Sequence, residues 1–155
     1  MHPCDPLSKL PARGYASGAF DLLHVGHVRY LQMAAAACRH LLVGVPDDEI
    51  IARVKGRLPL VPQSERRELL SALSCVSEAM AVSVPMDDTD AFAEFMSSLR
   101  INIVFIGADW AETPRWQRLG PALQVRGMEV RFLPRTIGIS STQRRNITTR
   151  LVTPP

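Results

Sequence analysis

The 155-residue sequence has little cysteine, no long apolar run and no large excess of charge of either sign. Its three cysteines, Cys4, Cys38 and Cys75, are scattered and odd in number, which indicates reduced thiols in the cytoplasm rather than a disulfide scaffold. The longest apolar stretches, such as residues 101–108, fall far short of the ~20 residues that a membrane-spanning helix needs. Residues 1–11 are rich in proline and lack the apolar core of a signal peptide. We therefore expect a cytoplasmic protein with no membrane insertion.

Aromatic residues make up 6% of the chain, and the net charge of +3 is modest. Positive charge is concentrated near the C-terminus, at Arg126, Arg131, Arg135, Arg144, Arg145 and Arg150. A nucleic-acid-binding surface would combine such arginines with interleaved aromatics or a recognition helix, and the sequence has neither pattern. The arginines fit equally well a solvated face and the lining of a pocket for an anionic small molecule. We expect no nucleic-acid partner.

Apolar runs of strand length alternate with helical patterns along the chain. Strands are predicted at residues 13–20, 41–45, 79–84, 101–106 and 130–133. Helices are predicted from Val25 or Gly26 to Cys38, over 64–73 with Ser64 as N-cap, from a cap at Asp88 or Thr89, over 113–126, and from near Ser140. This order indicates an α/β fold, a single Rossmann-like domain with a five-stranded, mostly parallel sheet and helices on both faces.

The single domain is expected to cover residues 1–155, with flexible ends at residues 1–12 and 152–155. Residues 46–63 are predicted to be one long irregular loop, because they contain two internal prolines and a Lys-Gly-Arg run. Loops of that length are often functional.

Residues 18–27 join the first predicted strand to the first predicted helix and place two histidines around a glycine. The backbone N–H groups at a helix start lack partners and attract negative charge. Gly26 allows a ligand to approach closely, and His24 and His27 add directional hydrogen-bond donors. The segment therefore predicts a phosphate site at which chemistry takes place.

Two neighbouring histidines also have simpler interpretations. Taken alone, such a pair more often lies on the surface or is satisfied internally than acts in catalysis. This segment cannot close a zinc site, because the next soft ligand, Cys38, lies ~16 Å further along the predicted helix. The strand, the turn and the helix taken together favour the phosphate site.

The same segment reads GxFDLLHxGH and resembles the signature of the HxGH nucleotidyltransferase superfamily, in the form found in cytidylyltransferases that make CDP-alcohols. Residues 135–142 resemble the RTxGIS(S/T)T motif of that branch, and residues 107–110 resemble its GDDW segment. An ER pair at residues 65–66 and a KG pair at residues 55–56 agree with the family pattern. The resemblance covers about residues 15–151 and is greatest to bacterial glycerol-3-phosphate cytidylyltransferase.

The resemblance implies attack by a phosphate oxygen of a phosphoalcohol on the α-phosphorus of CTP, with pyrophosphate leaving and no covalent enzyme intermediate. It implies four catalytic residues, His24, His27, Lys55 and Arg135. It places around the nucleotide the residues Gly18, Ala19, Phe20, Asp21, Gly26, Arg66, Gly107, Asp109, Trp110, Thr136, Gly138, Ile139, Ser140, Ser141 and Thr142. Asp21 is expected to orient the turn or approach the metal, and capping of the following helix is an equally good interpretation.

The implied cofactor is Mg²⁺, bound mainly through the triphosphate of CTP, with no dedicated metal ligands on the protein. The implied partners are CTP and a small phosphoalcohol, with glycerol 3-phosphate the first choice and ethanolamine phosphate another. The resemblance also implies a homodimer.

Three positions depart from the family pattern. Ala19 replaces a threonine, Ala108 replaces the first aspartate of GDDW, and Ile137 replaces a glutamate. Two alternatives stay open. One is an adenylyltransferase of the same superfamily that acts on a sugar phosphate or a flavin nucleotide, against which residues 135–142 argue. The other is a non-catalytic nucleotide-binding regulator, which the three departures motivate.

Overall fold

A computed structural model describes residues 9–152 of the chain and, within them, the side chains of residues 9–146. The strands are β1 (Arg13–Ser17), β2 (His40–Pro46), β3 (Glu78–Val82), β4 (Ile103–Gly107) and β5 (Glu129–Leu133). The helices are α1 (Val25–Ala36), α2 (Asp48–Lys55), α3 (Gln63–Ser71), α4 (Thr89–Ser98), α5 (Pro114–Gln124) and α6 (Ser141–Val152). A 3₁₀ turn, Ala108–Trp110, follows β4.

The five strands form one parallel sheet in the order β3-β2-β1-β4-β5. Side chains of the inner strands alternate between its two faces. Leu41 and Val43 pack in one core cluster with Leu31 of α1 and Leu70 of α3. Leu42 belongs to a second cluster, which contains the apolar residues of α4 and α5. The predicted α/β fold with helices on both faces is confirmed.

The chain leaves the central strand β1 in one direction to build β2 and β3, and then returns to its other side for β4 and β5. This reversal places a topological switch point between the carboxyl ends of β1 and β4. Open parallel sheets bind ligands in the crevice at such a point. The fold therefore predicts where the site lies before any side chain is considered.

Several predicted boundaries were wrong. Residues 46–63 are not one loop, because they contain α2, an eight-residue helix whose acidic first turn and basic last turn match the helix dipole. Helix α3 begins at Gln63 with Pro62 as its N-cap, so Ser64 lies within the helix and is not the cap. The first strand ends at Ser17, because the backbone turns sharply just beyond it. By contrast, Asp88 caps α4 as predicted, accepting a hydrogen bond from the Ala91 N–H at 3.1 Å.

Of the predicted flexible ends, 1–12 and 152–155, residues 1–8 and 153–155 lie outside the described residues. Within residues 9–152, none of the helices has the length and apolarity needed to cross a membrane.

Candidate active site

A cleft of about 310 Å³ opens at the switch point, lined by the segments that follow β1, β4 and β5. It brings together most of the predicted site residues: Gly18, Ala19, Phe20, Asp21, His24, Gly26, His27, Lys55, Gly107, Asp109, Trp110, Arg135, Thr136, Ile139, Ser140, Ser141 and Thr142. Arg66 and Gly138 do not line it. Sequence reasoning missed Ser17, Tyr30, Ile106 and Pro134.

The turn after β1 is conformationally strained. Phe20 and Leu22 adopt φ values of 49° and 52°, in the left-handed region that non-glycine residues occupy at a cost of about 1–3 kcal/mol each. Such strain is maintained where the surrounding structure fixes it, typically at functional sites. The turn delivers His24 to the N-cap position of α1 and His27 to its first turn.

The two histidine rings stack against each other, with centroids 3.8 Å apart and planes inclined by 15°. A Cβ atom on residue 26 would lie 3.0 Å from the His24 ring, which explains the glycine between them. Burial and the arginines Arg144 and Arg135 lower the pKa of His24. Burial, followed by the neighbouring His24 and Lys55, lowers the pKa of His27 to about 4. Both imidazoles are therefore neutral at pH 7, and each keeps one N–H donor.

Acid is expected to destabilise the protein between about pH 6.5 and pH 4. Unfolded His27 takes up a proton near pH 6.5, whereas the folded residue does so only near pH 4. In this window the unfolded state binds more protons, so the free energy of unfolding falls as the pH falls. Thermal unfolding at pH 7.0, 5.5 and 4.5 checks this. Between pH 7.0 and pH 4.5, the melting temperature of His27→Gln is expected to fall less than that of the parent. Identical losses in both proteins would contradict it.

The N-terminus of α1 faces the cleft without a negative charge of its own. Its first turn contains no acidic residue, and the His24 side chain makes no capping hydrogen bond. The unpaired N–H groups and the positive end of the helix dipole remain directed at the site. This end of the helix is suited to an anion.

Asp21 is 4% exposed and ties the turn after β1 to two distant segments. Its carboxylate accepts hydrogen bonds from the N–H groups of Leu60 and Val61, each at 3.0 Å, and pairs with Arg145 of α6. Its carbonyl accepts a hydrogen bond from the Ser141 hydroxyl at 2.7 Å. Burial alone would raise the pKa of this carboxyl, but the two N–H groups and Arg145 outweigh burial and lower the pKa. These bonds go to α6 and to the loop before α3 rather than to the start of α1.

Arg66 lies beneath the site rather than in it. Its side chain is fully buried, and its guanidinium donates to the carbonyls of Ala19 at 2.7 Å, Val61 at 2.9 Å and Pro46 at 2.9 Å. It also pairs with the Asp48 carboxylate at 2.5 Å. Through these bonds Arg66 holds the ends of β1 and β2 against the start of α2. Because its guanidinium is buried and already bonded to protein groups, the structure does not place it in contact with a phosphate in the cleft.

Two cations reach the cleft from opposite sides. Lys55 ends α2, and burial, followed by the nearby Arg57, lowers the pKa of its ammonium group. Arg135 follows β5, and its Nη1 lies 3.4 Å from a carboxylate oxygen of Asp109. Together with the start of α1, they surround the histidines with positive charge.

The segment after β5 closes the cleft. Gly138 adopts φ 78°, a left-handed turn for which glycine is suited. The Ser140 hydroxyl then accepts a hydrogen bond from the Gln143 N–H at 3.1 Å and caps α6, while Ser141 is bonded to the Asp21 carbonyl. Ser140 therefore caps α6 and also lines the cleft, and Ser141 lines the cleft while it bonds to the turn after β1.

A second, smaller cavity of about 130 Å³ adjoins the cleft on the side of α2 and α4. The two cavities share the residues Ser17, Gly18, Ala19, Lys55, Ile106 and Trp110. A ligand can therefore span both.

A parallel sheet with a cleft at its switch point, and paired histidines of an HxGH motif at the start of a helix, agree with the resemblance to the HxGH nucleotidyltransferase superfamily. A sequence profile of the Cytidylyltransferase-like family matches residues 15–147. The chain belongs to this family.

Curated relatives include bifunctional proteins named HldE. The protein from Hyphomonas neptunium is 34% identical over 131 residues, which are 83% of this chain and 25% of the relative. The protein from Syntrophotalea carbinolica is 39% identical over 97 residues, which are 62% of this chain and 19% of the relative. The chain thus spans a quarter or less of the length of these relatives.

Solved structures share the fold. The lipopolysaccharide core biosynthesis protein from Thermoplasma volcanium superposes with a TM-score of 0.64 and 25% identity, covering 81% of this chain and 97% of that one. Pantothenate synthetase from Thermus thermophilus superposes with a TM-score of 0.58 at 14% identity, over 90% of this chain and 66% of that one. At that identity the second likeness shows the fold alone.

Proposed function

We propose that the protein transfers a nucleoside monophosphate from a nucleoside triphosphate to the phosphate of a small acceptor. An acceptor oxygen forms a bond with the α-phosphorus, the bond from that phosphorus to the bridging oxygen breaks, and pyrophosphate leaves. The observation that carries the proposal is the stacked pair His24 and His27 at the uncapped start of α1, between Lys55 and Arg135.

Neutral histidines can take part in this reaction as hydrogen-bond donors. Their N–H groups donate to phosphate oxygens while the positive charge is supplied by α1, Lys55 and Arg135. Negative charge grows on the α-phosphate oxygens and on the leaving group as the bonds change. Donors fixed in advance at those positions stabilise the transition state, which is the main means of catalysis in phosphoryl transfer.

The proposed Mg²⁺ would be held mainly by the triphosphate of the bound nucleotide. Among the residues that the structure describes, no three His, Cys, Asp or Glu side chains cluster so as to hold an ion. Asp21 and Asp109 line the cleft, but each carboxylate faces an arginine. Mg²⁺ bound through the triphosphate stays part of the proposal, and we assign no step of the reaction to it. The homodimer and the cytoplasmic location stay predictions.

Two nucleotides are candidates. The HldE relatives favour the adenylyltransferase alternative, and the name of the Thermoplasma relative points to acceptors used in lipopolysaccharide core biosynthesis. ATP with a sugar phosphate is therefore the leading pair. The segments at residues 107–110 and 135–142 favour CTP with a phosphoalcohol, which we keep as the second pair.

Pyrophosphate release with ATP, CTP, GTP and UTP, each with a panel of sugar phosphates and phosphoalcohols, tests the proposal. We expect ATP or CTP to exceed the other nucleotides by at least about tenfold in kcat/KM. Preference for ATP supports the leading pair, and preference for CTP supports the second. Tight nucleotide binding without pyrophosphate release from any pair would support the non-catalytic regulator instead.

A further inference from the structure

Arg115 lies in the first turn of α5 and lines the smaller cavity, outside the segments at residues 107–110 and 135–142 that carry the family resemblance. Its Nε donates to a carboxylate oxygen of Asp87 at 2.6 Å, and its Cζ lies 5.4 Å from the centroid of the Trp110 ring. Asp87 and Trp110 line the same cavity. The guanidinium is therefore held at the cavity wall by an ion pair and by an aromatic ring.

Most of the hydrogen-bonding capacity of this guanidinium is unused. Among the described residues, Nε is the only nitrogen of the Arg115 side chain that makes a hydrogen bond, and the two terminal nitrogens are not shut off from solvent. Only 19% of the side chain is exposed, so the guanidinium is held in place although its terminal donors have no partner in this part of the chain. Two adjacent N–H groups fit two oxygens of a phosphate or a carboxylate. The arrangement points to an anionic ligand.

The charges around the cavity agree with an anion. Of the described residues that line it, the charged ones are Lys55, Asp87 and Arg115. Two cations thus accompany one carboxylate, which is more than half exposed to water. The lining also includes Tyr15 and Ser17, which carry hydroxyls, beside apolar side chains. Such a mixed lining can receive the organic part of a sugar phosphate or a phosphoalcohol.

We propose that Arg115, together with Lys55, binds the phosphate of the acceptor, and that Asp87 positions the guanidinium. This rests on the proposed function and adds to it a residue that none of the family segments supplies. We place the nucleotide in the larger cleft, which Arg115 does not line, whereas Lys55 lines both cavities. An acceptor phosphate held by Arg115 and Lys55 lies where the two cavities meet, beside the cleft that contains the histidines.

Arg115→Gln is expected to raise the KM of the acceptor about 10-fold to 100-fold, because hydrogen bonds between charged groups are lost. The KM of the nucleotide should stay within about twofold of the parent, since Arg115 lies outside the nucleotide cleft. Arg115→Lys keeps the charge without the planar pair of donors, and its acceptor KM is expected to lie between those of the parent and Arg115→Gln. Steady-state kinetics with each substrate varied in turn measures both constants.

The matched control is Arg118→Gln, which makes the same change one turn further along α5, at an exposed residue outside both cavities. It should change neither KM value. An unchanged acceptor KM in Arg115→Gln, or an equal rise of both KM values, would overturn the proposal.

Inorganic phosphate tests the same site without turnover. An α,β-methylene analogue of ATP or CTP, whichever binds more tightly, fills the cleft and cannot release pyrophosphate, so phosphate titrated by calorimetry reports on the smaller cavity. We expect phosphate to bind the parent and Arg118→Gln alike, and to bind Arg115→Gln at least about tenfold more weakly. Absence of binding to the parent, or equal binding to all three proteins, contradicts the proposal.

The two experiments separate this proposal from the proposed function. If phosphate binding depends on Arg115 while no pair of substrates releases pyrophosphate, the proposed function fails and the anion site stands. Turnover together with phosphate binding that does not depend on Arg115 gives the opposite outcome.

Discussion

His24→Ala is expected to lower kcat by about 100-fold to 1,000-fold while changing the dissociation constant of the nucleotide less than about fivefold. Removing one fixed donor to a developing oxyanion costs about 2.7–4 kcal/mol in the transition state, and much of that interaction is absent before the bond to the leaving group breaks. His24 is 9% exposed and stacks on His27, so it is held in place before the substrate arrives. Single-turnover kinetics and calorimetry measure the two quantities separately.

The matched control for this variant is His40→Ala. His40 begins β2, at the amino ends of the strands and so away from the cleft at their carboxyl ends, and its Nε2 lies 3.7 Å from a carboxylate oxygen of Glu78. Its replacement should leave kcat within about twofold of the parent. An active His24→Ala protein would remove this histidine from the mechanism, and an equal fall in both variants would indicate a loss of folding instead.

Arg66→Met is expected to lower the free energy of unfolding by about 3–5 kcal/mol, because a fully buried guanidinium that serves three carbonyls and one carboxylate is lost. The change leaves the Asp48 carboxylate and the carbonyls of Ala19, Val61 and Pro46 without their donor. For a chain of this size the melting temperature should fall by roughly 10 °C. Urea unfolding followed by circular dichroism gives the free energy directly.

Arg67→Met is the control, because it makes the same substitution at the next residue, on the exposed side of α3. It is expected to change the free energy of unfolding by less than about 0.5 kcal/mol. A stable Arg66→Met protein that has lost nucleotide binding would reverse our assignment and return Arg66 to the phosphate site.

The fold could be predicted because its signals are local and repeated. Buried parallel strands read as continuous apolar runs, as Leu41, Leu42 and Val43 do, and turn residues separate them from the helices. The histidine turn was found because its residues are adjacent in sequence. Helix α2 was missed because Gly56, Pro59 and Pro62 follow it closely and mask a short helical pattern.

The roles of Asp21 and Arg66 could not be predicted from sequence. The partners of Asp21 lie at Leu60, Val61 and Arg145, so only the folded chain shows what its carboxylate contacts. Arg66 has a residue type and a motif position that fit phosphate binding equally well, and only its burial separates the two roles. The presence of a charged residue in a family motif therefore does not show that its side chain contacts the ligand.

The contacts of Asp21 also determine when the site becomes complete during synthesis. A ribosome works from the N-terminus at about 5–20 residues per second, and all five strands have been made once residue 133 has been added. At that moment both histidines exist, but Ser141 and Arg145, which bond to Asp21 in the folded chain, have not been made. The last contacts of the turn after β1 therefore form only once the chain has been extended into α6.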